Sequence, residues 1–181
     1  MEVSGKTRVC AIIGDPVEHS LSPVMHNAAF GFLGLNLVYV AFTVTAKELQ
    51  TAVLGAKSLG IRGLNVTMPH KNAIINHLDK LDKTAEAIGA VNTVLIEDGK
   101  LTGYNTDGVG AITAFHENGV KTEETKIVIL GAGGSAQAIA YHAAQEADEL
   151  VILNRTTKNA QLLAEELSES FDSRIKAGAL S

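Results

Sequence analysis

The sequence predicts an α/β fold with a mostly parallel sheet, arranged as two consecutive domains. Short apolar runs rich in β-branched residues alternate with helical stretches along the whole chain. The alternation restarts after a charged break at Thr122-Glu123-Glu124. In the restarted half, a glycine-rich turn at Gly131 to Gly134 lies between a strand and a helix. The expected division is residues 1–104 as a first α/β domain, then residues 105–181 as a connector helix and the start of a second domain.

The elements follow in order. Arg8 to Gly14 is an apolar run ending in Gly-Asp-Pro, hence a buried strand and a turn. Ser22 before Pro23 reads as a capped helix start, because a hydroxyl can satisfy a free N–H and proline costs nothing at the first helical position. That helix would place Met25, Ala28, Ala29 and Phe32 on one face and stop near Gly34. Leu37 to Val44 is the second strand. Thr45 and Glu48 form a capping box, opening a helix that ends at Gly60. Gly63 to Met68 is the third strand, and Pro69 is expected to start another helix.

Val91 to Ile96 and Leu101 to Tyr104, joined through Asp98-Gly99, read as a hairpin with a type I′ turn. Gly108 to Asn118 is helical, with Gly119 as its stop. Beyond the break, Lys126 to Leu130 and Glu149 to Leu153 are strands, and Ala136 to Gln145 and Lys158 to Leu167 are helices. A third strand of this half starts at Arg174-Ile175-Lys176.

Composition narrows the function. Hydrophobic residues make up 46% and charged residues 19%, the balance of a globular chain. A net charge of -5 argues against a nucleic-acid partner. The stretch from Glu18 to Lys47 has no formal charge but contains Ser20, Ser22, His26, Asn27 and Asn36, so it reads as core rather than membrane. Cys10 is the single cysteine, which excludes an intrachain disulfide and fits a reducing compartment. With no signal peptide at its start, the chain is expected to be cytoplasmic. No histidine pair has metal-ligand spacing, so no metal is expected.

In its strand–turn–helix context, Gly131-Ala132-Gly133-Gly134-Ser135-Ala136 is a dinucleotide fingerprint, and the second half reads as a partial Rossmann domain. Gly131 permits the turn, Gly133 lets backbone approach a pyrophosphate, and Ala136 allows close helix packing. The free N–H groups of the helix start face the phosphates. The next strand ends in Asn154-Arg155-Thr156, with Lys158 close by, where an NAD site would carry an acid. A guanidinium there can pair with a 2′-phosphate, so NADP is the expected cofactor.

Three polar segments lie where strands hand over to helices in the first half: Ser20 to Asn27, Asn65 to Lys71, and Asn92-Thr93, with Asn105-Thr106-Asp107-Gly108 further on. Their hydroxyls, amides, ammonium and carboxylate suit a small polyhydroxylated acid. Each segment also has a plain reading: Ser22 as a cap, Asn65 as a partner for buried backbone, Asp107 as a helix start. His26 and His70 read as structural or exposed.

In this order, Ser-x-Ser-Pro-x-Met-His-Asn, Asn-Val-Thr-x-Pro-His-Lys, Gly-Ala-Val-Asn-Thr, Asn-Thr-Asp-Gly, Gly-Ala-Gly-Gly and Asn-Arg-Thr resemble the shikimate dehydrogenase family from about Val9 to Leu167. The resemblance implies an NADP-dependent oxidoreductase acting on shikimate and 3-dehydroshikimate in aromatic amino acid biosynthesis. It implies that Ser20 and Ser22 bind the carboxylate, that Asn65, Thr67, Asn92 and Asp107 contact ring hydroxyls, and that Lys71 and Asp107 form the catalytic pair. The chain departs from the family at Gln137, where Arg or Lys is common. Family members also continue beyond residue 181, with the rest of the Rossmann sheet, a substrate-contacting glutamine and a helix returning to the first domain. An incomplete parallel sheet leaves an open edge, where a homodimer could form. Two other readings stand beside this one: a quinate/shikimate dehydrogenase using NAD, and a non-catalytic shikimate-binding module.

Overall fold

The computed structural model describes residues 2–180. The chain divides into two compact units. The first comprises the residues up to Ala87 together with Val91–Tyr104, and the second comprises Ile88–Ala90 and the residues from Asn105 onward.

In the first unit the strands are β1 (Arg8–Gly14), β2 (Leu37–Thr43), β3 (Gly63–Val66), β4 (Lys80–Leu81), β5 (Thr93–Glu97) and β6 (Lys100–Tyr104). The helices are α1 (Ser22–Phe32), α2 (Leu49–Ser58) and α3 (Lys83–Ile88), with a 3-10 turn over Ala73–His77. The sheet order is β2-β1-β3-β5-β6-β4. β1 pairs in parallel with β2 and β3, as does β4 with β6, while β3–β5 and β5–β6 are antiparallel. Asp98 and Gly99 take positive φ angles of 49° and 71°, as a type I′ hairpin turn requires.

Strand alternation gives this sheet two unlike faces. Ala11, Ile13, Leu64, Val66 and Val94 point to one side and bury against Leu49, Val53 and Ala56 of α2. The residues between them belong to the other side, where Ile12, Val17 and Tyr39 form a small cluster joined by Cys10 and Phe30. Burial pushes the Cys10 thiol up, which keeps it protonated and inert.

Several local expectations need correction. Ser22 does not cap α1: the cap position is Leu21, with no side-chain cap bond. Met25 and Phe32 are 60% and 91% exposed, and no residue of α1 is buried. The face α1 turns inward is the stripe Pro23, His26, Asn27 and Phe30, because Asn27 brackets the backbone of Tyr39 through both amide atoms (2.8 and 2.9 Å). Thr45 bonds the Glu48 carboxylate (2.7 Å) rather than a helix N–H, and α2 begins only at Leu49. Pro69 starts no helix. It follows a cis bond after Met68, in a turn closed by His70 N–H to the Thr67 carbonyl (3.0 Å). The helical turn begins at Ala73 instead.

The second unit contains α4 (Asp107–Glu117), β7 (Lys126–Leu130), α5 (Gly134–Ala143), β8 (Glu149–Asn154), α6 (Thr157–Ser170) and β9 (Arg174–Ala179). Its sheet, β7-β8-β9, is parallel throughout. Ile129, Leu150 and Ile152 bury against Ala140 and Ala143 of α5 and Leu163 and Leu167 of α6. The order strand, glycine turn, helix, strand, helix, strand is the first half of a Rossmann arrangement. Among the described residues no helix is long and apolar enough to cross a membrane.

At the start of β8, Glu149 is clasped by Lys126 (3.0 Å), Lys176 (3.0 Å) and Arg174 (3.5 Å) from the flanking strands. The hydrogen bonds from Lys126 and Lys176 hold its carboxyl down at about 2, against an ordinary value of 4.5. A carboxylate with a depressed folded-state pKa stabilises above the unfolded value, and that contribution is lost as pH falls through the folded one. Glu149→Gln is therefore expected to melt lower than the parent at pH 7, with the difference closing between about pH 4.5 and pH 2. Thermal melts of both chains across that range provide the check.

Candidate active site

The second face of the first sheet carries a row of polar side chains. Cys10 is in register with Tyr39, Ile12 with Asn65, and Asn65 with Thr93, so Tyr39, Asn65 and Thr93 share one face across β2, β3 and β5. The Tyr39 hydroxyl donates to Asn65 Oδ1 (2.6 Å). Asn65 Nδ2 donates to Thr93 Oγ1 (3.1 Å) and to the Asn92 carbonyl (3.3 Å), and the Thr93 hydroxyl donates to Asn92 Oδ1 (2.9 Å).

Ser22 lies on the α1 side of Tyr39, and its N–H donates to Ser20 Oγ (3.2 Å). Burial pushes the Tyr39 hydroxyl up to about 12, with the neighbouring Cys10 adding to the effect and the Ser22 bond opposing it. Tyr39 therefore stays a neutral donor at physiological pH. Two of the predicted substrate residues, Asn65 and Asn92, thus belong to one hydrogen-bonded chain, and two more, Ser20 and Ser22, are bonded to each other.

Thr67 follows β3, held by its N–H to the Ile13 carbonyl (3.0 Å). Its methyl fills the space that a Cβ on Gly14 would need. Lys71 lies two residues beyond the cis proline, and its carbonyl accepts from Val91 N–H (2.8 Å), which fixes the backbone beside the Asn92 segment. His70 is 1% exposed, and its Nε2 donates to the Val44 carbonyl (2.6 Å), so it anchors the turn. His26 stacks on Tyr39 with ring centroids 4.3 Å apart. Both histidines are structural.

In the second unit, Asn105 is buried and donates to the Ala90 carbonyl (2.9 Å), while its Oδ1 accepts the Asp107 N–H (3.0 Å). This arrangement starts α4 with Asp107 in its first turn, and Thr106 makes no side-chain cap. Ser135 Oγ donates to Asp107 Oδ2 (3.2 Å), tying the glycine turn to the start of α4.

The turn itself suits a pyrophosphate. Gly131 has φ of 120°, a backbone that side chains rarely adopt, and its N–H reaches the Leu153 carbonyl of the next strand (2.7 Å). Gly133 is the extended cap of α5 and has open space where a Cβ would point. Helix α5 starts directly at Gly134, so the turn leads into the positive end of a helix dipole, where an anion is favoured. Ala132 packs against the core of this unit. At the end of β8, Asn154 Nδ2 donates to the Thr156 carbonyl (3.0 Å), and Arg155, Thr156 and Lys158 are exposed. These residues fit a 2′-phosphorylated dinucleotide.

Sequence reading missed Tyr39, and it placed Thr93 in a polar segment without giving it a role. Alternation within β2 and β5 was the available signal, since it sets both on the face opposite the apolar core. A further set of donor atoms comes together only through folding: His116 with Glu123 and Glu146, within 4.8 Å of one another. The buried Thr122 hydroxyl bonds both His116 and Glu146, so the group also serves to clasp the end of α4 to the chain after α5.

Comparisons with known proteins agree with this geometry. Residues 12–94 match the model of the shikimate dehydrogenase substrate binding domain, and residues 114–176 match that of shikimate / quinate 5-dehydrogenase. The chain is 54% identical over 179 residues to a shikimate dehydrogenase (NADP(+)) of Methanopyrus kandleri, covering 98% of this chain and 62% of that protein. It is 51% identical over 173 residues to the protein of that name from Methanocaldococcus jannaschii, covering 96% and 61%. A crystal structure of shikimate 5-dehydrogenase from Listeria monocytogenes in complex with shikimate and NAD superposes with a TM-score of 0.90 at 42% identity, over 99% of this chain and 63% of that one. The chain thus spans about three fifths of the length of these relatives. Both family models, the identity along nearly the whole chain and the shared fold lead to one conclusion: the chain belongs to the shikimate dehydrogenase family.

Proposed function

We propose that the protein is an NADP-dependent shikimate dehydrogenase, interconverting shikimate and 3-dehydroshikimate in the cytoplasm as a step of aromatic amino acid biosynthesis. The observation that supports this most is the polar chain Tyr39–Asn65–Thr93–Asn92 on the sheet face opposite the apolar core. Buried polar side chains are costly unless they serve a purpose, and a row of hydroxyls and amides matches a ring bearing hydroxyls.

In this reading Ser20 and Ser22 hold the carboxylate, while Asn65, Thr67 and Asn92 hold ring hydroxyls. Lys71 gives its proton to the carbonyl oxygen during reduction and takes it back during oxidation. Asp107 accepts a hydrogen bond from the substrate. NADP, when bound, carries the hydride. Gly131 to Ala136 would receive its pyrophosphate, and Asn154, Arg155, Thr156 and Lys158 its 2′-phosphate. The open edge of β7, where Val128 and Leu130 are 51% and 67% exposed, is where a second copy would pair in a homodimer.

Turnover of shikimate and of quinate, each with NADP and with NAD, tests the reading. Shikimate with NADP is expected to be the preferred pair, whereas preference for NAD would support the quinate/shikimate alternative. Arg155→Ala is expected to weaken NADP binding by about ten- to a hundredfold and NAD binding hardly at all, the loss of a charge-assisted pair. Equal losses for both cofactors would remove Arg155 from 2′-phosphate recognition. Shikimate binding without turnover would favour a binding module.

A further inference from the structure

We propose that Tyr39 is a positioning residue of the shikimate site: its hydroxyl fixes the Asn65 amide on β3 and, through it, Thr93 and Asn92, so that the ring-binding groups are set as one unit. The inference rests on the proposed function and extends it to a residue outside the recognised motifs.

The geometry leaves the hydroxyl no other role. Tyr39 is 3% exposed, its ring is stacked on His26, and its backbone is bracketed by Asn27. The ring therefore cannot swing, and the hydroxyl occupies one place. There it donates to Asn65 Oδ1 at 2.6 Å. A donor at that oxygen decides which end of the Asn65 amide is which. The amide nitrogen must then face Thr93 and the Asn92 carbonyl, as observed at 3.1 and 3.3 Å. Thr93 in turn directs its own hydroxyl to Asn92 Oδ1 at 2.9 Å. One tyrosine proton thus sets the donor and acceptor pattern of Asn65, Thr93 and Asn92, before any ligand arrives.

Pre-set polarity matters because an amide or hydroxyl that must rotate on binding loses part of its interaction energy to reorganisation. A phenylalanine at this position would keep the stacking and the packing volume. It would leave Asn65 Oδ1 without its donor, and the amide would be free to flip.

Calorimetric titration of shikimate into the chain and into Tyr39→Phe tests this, with Asn65→Ala and the double variant completing a cycle. The expected result is affinity about tenfold weaker in Tyr39→Phe, NADP affinity unchanged, and a double variant little worse than Asn65→Ala alone. A purely structural tyrosine would instead lower the melting temperature, leave shikimate affinity within about twofold of the parent, and give additive losses, which overturns the proposal. Absence of shikimate binding by the parent chain would sink the functional reading, and this inference with it. Binding by the parent and equal binding by Tyr39→Phe would sink the inference alone.

Discussion

Replacing Lys71 by alanine is expected to slow shikimate turnover by about 10²- to 10⁴-fold, the range of a lost general acid/base, while NADP affinity stays within about twofold. That corresponds to roughly 3–5.5 kcal/mol of transition-state stabilisation. The prediction rests on where the lysine is held. His70, locked to the Val44 carbonyl, fixes the residue before it, and Val91 N–H fixes its own carbonyl. The side chain thus starts from a stationary backbone next to Asn92, one of the residues of the polar row. Hydride delivery to a carbonyl carbon leaves an alkoxide unless a proton arrives at the oxygen, and an ammonium can both supply and retrieve one. Lys71→Arg keeps the charge but holds its proton at every accessible pH, so it is expected to be nearly as slow. Rates of shikimate oxidation under saturating NADP for the two variants provide the check. Near-parental turnover in Lys71→Ala would remove the lysine from the chemistry.

Gly108→Ala is expected to destabilise the second unit by about 2–3 kcal/mol, lowering its melting temperature by on the order of 10 °C. The sign is the informative part. Alanine normally stabilises a helix relative to glycine by roughly 0.5–1 kcal/mol. At Gly108, however, a Cβ would collide with the Ala138 carbonyl of α5 and the His142 ring. The backbone carbonyl cannot step aside, because it belongs to α5 and also receives His142 Nδ1 (3.0 Å). Helices α4 and α5 would have to separate. Gly110 lies in the same helix with nothing within 4 Å of a prospective Cβ. Gly110→Ala is therefore expected to raise stability slightly, and melting both variants side by side separates helix propensity from helix contact. Two stabilised variants would contradict this account of the Asn-Thr-Asp-Gly segment, in which its glycine is a packing requirement.

Much of this molecule was legible in the sequence, because its signals were local. Lys126 to Leu130 is a strand as expected, since a β-branched apolar run followed by glycine admits little else. Gly34, Gly60 and Gly119 stop their helices with φ between 65° and 73°, the left-handed conformation that glycine adopts freely. The Asp98-Gly99 hairpin is likewise a local matter. Errors arose where tertiary contacts overrode local preference. Ser22 has the sequence of a cap, yet the cap position falls on Leu21 and the Ser22 N–H turns to Ser20 Oγ. The apolar residues of α1 look like a core face, yet the helix turns inward the stripe containing Asn27, because that amide satisfies the edge of β2. Lys80–Leu81 and Lys83–Ile88 are too short to show a period.

The candidate site was half legible for the same reason. Asn65 and Asn92 stood out by composition, but their connection runs through Thr93 and Tyr39, which only strand register reveals. A tyrosine in an apolar strand is ordinarily core. Here it is core by its ring and part of the site by its hydroxyl.

Shikimate titrated calorimetrically into this chain, with NADP titrated separately, is the most direct test of the central claim. The polar row and the glycine turn together predict saturable binding of each ligand at one site per chain. They also predict that Ser22→Ala weakens shikimate alone. Saturable NADP binding with no shikimate binding at millimolar concentration would contradict the account, since the row on the first sheet would then have no ligand of the predicted kind.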